Sequence, residues 1–374
     1  MTGKRHSSPL RAAGDLIVLF SHFAAKSPPV AIAPYGSGHI HETYRVRTRG
    51  RSDPGCILQR INTRVFPDVP RLMENIVRVT AHLRDKAPCN RPVLTVVPAD
   101  DGRPFHRDGA GGFWRCFRFI GHREPGERFR GGRLAAEAGR RFGHFITQMA
   151  DLPGPPLHET IRGFHDVDFH LGRFGDLLHA DPAKRREGAA TEIEFVRARA
   201  AGMRLIHDLG RAGRIPLRIT HNDTKFNNIL FDERGRGLCI IDLDTVMPGY
   251  VHYDFGDAIR SAANCACEDE RALRKVGIDM RVFEEFTKGY LGELRGRLTA
   301  EETAHLAFAA RLMTYMVGLR FLNDYLDGDR YFKTGRRGHN LQRARVHFRL
   351  LEDMERRSAA MEDIVSRLAV GTTS

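Results

Sequence analysis

Lysine is scarce in this 374-residue chain, where 8 of the 59 basic side chains are Lys and 51 are Arg. The basic residues never gather into one long run or a basic region followed by heptads. The formal charge of +13 therefore reads as a general positive field suited to a small anionic cosubstrate, and no nucleic-acid partner is expected. Cysteine occurs six times, at 56, 89, 116, 239, 265 and 267. That is too sparse for a disulfide framework in a chain this long, so reduced thiols in a cytoplasmic protein are expected. Cys265-Ala-Cys267 lacks the two-residue spacer and the second pair of a structural zinc site. No apolar run approaches bilayer length, which excludes a membrane-spanning helix. The run Leu16-Ile17-Val18-Leu19-Phe20 is bracketed by Asp15 and Ser21-His22, which cuts it to five residues and makes a poor signal peptide. Internal repeats and low-complexity tracts are also missing.

What is there is a globular chain, 41% hydrophobic and 28% charged, long enough for two or three ordinary domains. Residues 9 to 26 read as a leading helix. Strands follow around 30 to 32 and 44 to 46, flanking the glycine turn Tyr35-Gly36-Ser37-Gly38-His39-Ile40-His41-Glu42, and again at 56 to 61. Asp68-Val69-Pro70 opens an amphipathic helix with Leu72, Ile76, Val79 and Leu83 on one face. Stretches 92 to 97 and 113 to 120, separated by Asp100-Asp101-Gly102, read as a hairpin. The turn-rich segment 121 to 126 then marks a boundary. It divides a sheet-rich unit, residues 1–120, from a larger mainly helical unit, residues 121–374, so the fold class is α+β. In the second unit helices are expected at 133–150, 166–180, 189–212, 279–294, 300–325 and 340–369. A single strand pair interrupts them, 229–231 with 238–241.

The chemistry concentrates in His221-Asn222-Asp223-Thr224-Lys225-Phe226-Asn227-Asn228, followed by that hairpin and Asp242-Leu243-Asp244. The spacing H-x-D-x-x-x-x-N is that of a phosphotransfer catalytic loop, in which the Asp receives the acceptor hydroxyl's proton and the Asn holds a magnesium ion. A two-stranded hairpin brings the residue before its first strand beside the residue after its second, so Asn228 and Asp242 are expected to share one hard cation. Lys225 would meet the phosphoryl group as a point charge, and His221 joins Asp223 among the catalytic candidates, with Asp244 a further metal candidate. The backbone of Gly36, Ser37 and Gly38 is the candidate phosphate cradle. Gln59 and Arg60 stand where a nucleotide-positioning lysine would be sought, and Glu74 is the candidate partner of Arg60. A literal Asp254-Phe255-Gly256 is set aside as the metal site, because it does not close the hairpin. Asp254 and Asp257 are expected to cap a helix near Ala258 and to brace the catalytic loop, and His252 offers only a weak metal reading.

These strings resemble the aminoglycoside phosphotransferase and choline kinase superfamily, with its protein-kinase-like two-lobed fold, and within it the N-acetylhexosamine 1-kinases. The resemblance rests on residues 35 to 44, 58 to 62, 221 to 228, 241 to 249, 254 to 260 and 320 to 332. It implies ATP and Mg2+, Asp223 as base, Asn228 and Asp242 as metal ligands, and sugar contacts from His39, Arg320 and Tyr331. The adenine is expected against the segment from Phe119 and Ile120 to His122. The expected reaction is transfer to the anomeric hydroxyl of an N-acetylhexosamine or related hexose, by a monomer or weak homodimer. Kinases of choline, homoserine or aminoglycoside type, or a silent nucleotide-binding protein, are the alternatives. Residues 301 to 350 carry nine Lys or Arg against five Asp or Glu, which disfavours a polycationic acceptor.

Overall fold

A computed structural model describes residues 13–25, 27–36, 40–50, 53–88, 91–123 and 131–371. The chain divides into two compact units, Met1–Gly121 and His122–Ser374. In the first, helix α1 (Ala13–Ser21) precedes strands β1 (Pro29–Pro34), β2 (Glu42–Thr48) and β3 (Cys56–Arg60), helix α2 (Val69–Lys86), and strands β4 (Val96–Val97), β5 (His106–Arg107) and β6 (Phe113–Arg118). The strands form one antiparallel sheet in the order β1-β2-β3-β6-β4, with β5 also paired to β6. The hairpin expected of 92–97 and 113–120 is therefore interrupted, because β5 takes the far end of β6. Phe20, Val46, Leu58, Trp114 and Cys116 close the core beside the sheet. Helix α2 buries the apolar face read from its periodicity, Leu72, Ile76, Val79 and Leu83, and Asp68 caps it by accepting from the Arg71 amide.

The second unit is mainly helical. It runs through α3 (Gly132–Met149), α4 (Val167–Ala180), α5 (Ala190–Arg199), α6 (Leu205–Arg211), β7 (Arg218–Thr220), β8 (Ile229–Phe231), β9 (Gly237–Ile240), β10 (Met247–Gly249), α7 (Val251–Ala262), α8 (Met280–Glu293), α9 (Ala300–Ala304), α10 (Leu306–Leu326), α11 (His339–Arg356) and α12 (Ser358–Val370). Helix α10 is apolar on nearly every side and accordingly lies in the middle of the unit, contributing to both hydrophobic clusters. Three long helical stretches of the sequence are broken here. Residues 189–212 become α5 and α6 with a 3-10 turn between them, 300–325 divides at His305, and 340–369 divides at Arg357. A second short ladder also appears, β7 antiparallel to β10 with Met247 opposite Thr220, where only β8 with β9 was expected. Among the described residues no helix is long and apolar enough to cross a membrane.

Candidate active site

Two ladders position the loop that bears the H-x-D-x-x-x-x-N string. Strand β7 ends at Thr220 and β8 begins at Ile229, so residues 221 to 228 bridge one ladder to the other. Their partners β10 and β9 flank residues 241 to 246 in the same way. Both segments are thereby tied at both ends. Ile229 stands opposite Ile240, and the Ile241 amide donates to the Asn228 carbonyl at 2.9 Å, which pairs Asn228 with Ile241 and leaves Asp242 one residue beyond the position the hairpin reading gave it. At the other end Gly249 lies so close to the loop that a Cβ there would come within 2.4 Å of Thr220 Oγ1 and 2.9 Å of Asn222 Oδ1; only glycine permits that approach.

The loop itself is held by buried polar groups. Asp254, in the first turn of α7, is fully buried and accepts from the backbone amides of His221 at 2.9 Å and Asn222 at 2.7 Å. Burial pushes its carboxyl up to about 7, against the pull of those two amides. The expected bracing is present, but the capping is not: α7 starts at Val251 behind Tyr250, so Asp254 and Asp257 lie inside the helix, and Asp257 pairs with Arg260 at 2.6 Å. Asn222 adopts φ 63° and its Nδ2 donates to Thr245 O at 2.9 Å, joining the two loop segments. His221 is buried between Phe142 and Phe145. Its Nε2 donates to Ile241 O at 3.0 Å and its Nδ1 accepts from the Asp223 amide at 3.3 Å. That geometry makes His221 a positioning residue, and burial holds its imidazole below the ordinary range. His252, buried, donates to the Glu302 carbonyl at 3.0 Å, and among the described residues it belongs to no cluster of potential metal ligands.

Asp223 sits half-buried at the centre. Lys225 Nζ is 2.8 Å from its Oδ1, and Asn228 Nδ2 is 3.1 Å from its Oδ2 and 2.7 Å from its carbonyl. Burial alone would push this carboxyl up, but the Lys225 charge outweighs it and holds Asp223 below the usual carboxylate range; Lys225 is raised in turn. Because Asn228 spends its Nδ2 on Asp223, its Oδ1 is the end left for a cation. Asp242, exposed at φ 61°, and that amide oxygen are hard donors of the type magnesium takes. Asp244 is buried within a 3-10 turn, and its carbonyl accepts from Thr160 Oγ1 at 2.7 Å. Its burial contrasts with the exposure of Asp242.

Of the candidate sugar contacts, the guanidinium of Arg320 on α10 lies 4.7 Å from the Phe164 ring and 5.9 Å from that of Phe332. Tyr331, 44% exposed, meets Phe332 edge-on. The loop carrying Tyr331 hangs on Asp324, whose carboxylate accepts the amides of Arg330, Tyr331 and Phe332 at 2.7 to 2.9 Å. In the first unit, Gly36 follows β1 with φ 77°, while Ser37, Gly38 and His39 lie outside the described residues. Gln59 spends both ends of its amide within the sheet, donating to Thr43 Oγ1 and accepting from Arg115 Nε, each at 3.0 Å. Arg60 pairs with Glu42 at 2.9 Å rather than with Glu74, which is exposed on α2. The Phe119 ring is covered by the Arg45 guanidinium at 3.6 Å and met edge-on by Tyr35, and Ile120 beside it is half-buried. His165, Arg260 and Asp324 were not singled out in the sequence. His165 bonds 57 residues along the chain, whereas Arg260 meets Asp257 three residues back and Asp324 holds amides six to eight residues on, in contacts that no motif marks.

A small antiparallel-sheet unit, a mainly helical unit and a loop bearing H-x-D-x-x-x-x-N are those of a kinase-like small-molecule phosphotransferase. The chain belongs to the phosphotransferase enzyme family (APH), which it matches over residues 31–297. Its fold is similar to that of a microcompartment-associated aminopropanol kinase (18% identity, 93% of this chain and 98% of that one, TM-score 0.59). It is also similar to a spectinomycin phosphotransferase in complex with ADP and spectinomycin (11%, 94% and 99%, 0.58). An aminoglycoside phosphotransferase from Alicyclobacillus acidocaldarius is a third likeness (13%, 98% and 99%, 0.59).

Proposed function

We propose that this phosphotransferase moves the γ-phosphoryl group of ATP to the anomeric hydroxyl of a neutral hexose of the N-acetylhexosamine type. The observation that carries the reading is the Asp223 carboxylate, gripped at one oxygen by Lys225 and at the other by Asn228, on a loop whose backbone is fixed from beneath by Asp254. Asp223 accepts the proton of the acceptor hydroxyl as the phosphoryl group departs for it. Its lowered basicity suits an acidic anomeric hydroxyl and a loose transfer, in which orientation outweighs proton affinity. Lys225 faces the transferred group as a fixed positive charge. Asn228 Oδ1 and the Asp242 carboxylate would hold Mg2+, which when bound neutralises charge on the nucleotide phosphates. That solved structures of similar fold carry ADP or, in an amicoumacin kinase, AMP-PNP with Ca2+ supports a nucleotide and a divalent ion here. Gly36, Ser37, Gly38, Gln59, Arg60, Glu74, Phe119 and Ile120 remain the proposed nucleotide-side residues, and His39, Arg320 and Tyr331 the proposed sugar contacts.

The acceptor's charge follows from Arg320. Its guanidinium makes no ion pair among the described residues and rests on aromatic rings, so the wall repels an ammonium and offers donors to sugar oxygens. Purified protein with ATP, magnesium and a panel of hexoses, choline, homoserine and aminoglycosides should give a sugar 1-phosphate by phosphorus NMR. Phosphorylation at another hydroxyl, or of the amino compounds alone, would refute the assignment. Asp223→Asn should lower turnover by about 100- to 10,000-fold while nucleotide still binds; unchanged turnover would remove Asp223 from the base role.

A further inference from the structure

The peptide unit that joins Asn222 to Asp223 is gripped from both sides by imidazoles. On its N–H side, His221 Nδ1 accepts from the Asp223 amide at 3.3 Å. On its C=O side, His165, from the segment before α4, approaches the Asn222 carbonyl with Nε2 at 2.7 Å. A carbonyl only accepts, so His165 carries its proton on Nε2 and acts as the donor. Its ring is buried, 7% exposed, between Phe164 at 4.4 Å and Tyr253 at 5.1 Å. Its Nδ1 is buried without a hydrogen-bond partner. A histidine kept only for packing would not need that cost, since an aromatic hydrocarbon fills the same space. Phe164, its neighbour in sequence and in space, is the ring on which Arg320 rests. The charges of Arg320, Asp257 and Asp223 all bear on the His165 imidazole, with burial the larger influence, so the ring stands where acceptor wall and base meet.

We infer that His165 is a positioning residue that ties the acceptor wall to the base, its Nε2 proton fixing the peptide from which the Asp223 side chain springs. An acceptor seated against Arg320 and Phe164 presses on the ring that aims Asp223. The opposite jaw, His221, runs through its own Nε2 to Ile241 O, immediately before Asp242. The two jaws thus connect the base to the sugar side and to the metal side of the site. This inference rests on Asp223 being the base, although the clamp itself is measurable without that assumption.

The test compares His165→Leu, which removes the donor, with His165→Gln, whose side-chain amide reaches the same carbonyl. Hydrogen exchange of the peptide spanning residues 221 to 228 should quicken at least about tenfold in His165→Leu and stay near wild type in His165→Gln, with exchange in α8 and α10 unchanged in both. Turnover of the acceptor identified in the sugar panel should fall about 10- to 100-fold in His165→Leu with nucleotide affinity unchanged, and recover in His165→Gln. Unchanged loop protection in His165→Leu would overturn the clamp, as would a loss in His165→Gln equal to that in His165→Leu. Should His165→Leu fail to fold, wild-type protection and turnover in His165→Gln support the inference, and their loss sinks it. Failure of the base assignment shows separately, as an active Asp223→Asn enzyme whose loop exchange still responds to His165→Leu.

Discussion

Acid should unfold this protein earlier than its carboxylates alone would dictate. Four buried histidines, His165, His170, His252 and His347, are held neutral by burial, at about 4, 3, 4 and 4 against an ordinary 6.5. For a base whose folded value lies below its unfolded one, the unfolded chain binds the proton first. The stability is whole above pH 6.5 and drains as pH falls towards the folded values. At pH 5 each histidine costs about 2 kcal/mol, or roughly 8 kcal/mol together. Asp254 works in the opposite sense. Its folded value of about 7 stands above the unfolded 3.8, so its penalty is full above pH 7 and is relieved on acidification, by about 3 kcal/mol at pH 5. The net loss of about 5 kcal/mol is a large part of an ordinary domain's stability.

Urea titrations followed by circular dichroism between pH 5 and 7.5 read this directly. The unfolding free energy should fall by about 4 kcal/mol per pH unit near pH 5.5, three protons' worth. His252→Gln, which keeps a donor to Glu302 O, should remove about 1.4 kcal/mol per unit from that slope. A stability that is flat or rising from pH 7 down to 5 would refute the reasoning.

Replacing Asp242 by Ala should raise the magnesium concentration needed for half-maximal turnover by at least about tenfold while leaving the melting temperature nearly unchanged, since the side chain is exposed; an unaltered magnesium dependence would remove Asp242 from the metal set. Gly256→Ala would drive a Cβ to 2.2 Å from Ala309 O and 2.6 Å from Met313 Cγ, forcing α7 off α10. A loss of about 1–3 kcal/mol or more by denaturant titration is expected, and wild-type stability would show that the helices part freely.

What the sequence disclosed tracks how far apart the interacting residues lie. The approach of the segment before β8 to the segment after β9 was legible because a short hairpin, with its turn residues and apolar strands on view, is the whole of their connection. The apolar face of α2 was legible for the same reason, since periodicity is local. The β7–β10 ladder escaped notice because three residues per strand, one of them Pro248, carry no alternation to read. The breaks at His305 and Arg357 carry neither Gly nor Pro, so continuous helix was the natural reading of both stretches. Asp254 was seen as a brace, but its position inside α7 was not. Its two bonds reach back 33 and 32 residues, and nothing in the local string says whether a carboxylate caps its own helix or another segment's loop. His165, whose partner is 57 residues away, left no local mark at all.

The site's two departures from ordinary backbone geometry have a common logic. Asn222 at φ 63° and Asp242 at φ 61° are both non-glycine residues in the left-handed region, where a side chain costs on the order of 1 kcal/mol. Asn222 precedes the proposed base, and Asp242 is itself the proposed metal ligand, so glycine would relieve strain at either position but forfeit what the side chain does. At 222 that is the bond to Thr245 O, which locks the two loop segments together, and at 242 it is the carboxylate. The surrounding bonds, Asp254 to two amides, His165 and His221 to one peptide, and Thr245 Oγ1 to His221 O at 2.8 Å, are worth about 1 kcal/mol apiece or more, enough in sum to hold Asn222 in place, while Ile241, just before Asp242, is held by His221 Nε2 at its carbonyl and by Asn228 O at its amide. The strain therefore persists where the proposed chemistry needs a sharp turn and a functional side chain at once, and it is offset by polar contacts to the successive peptides around it.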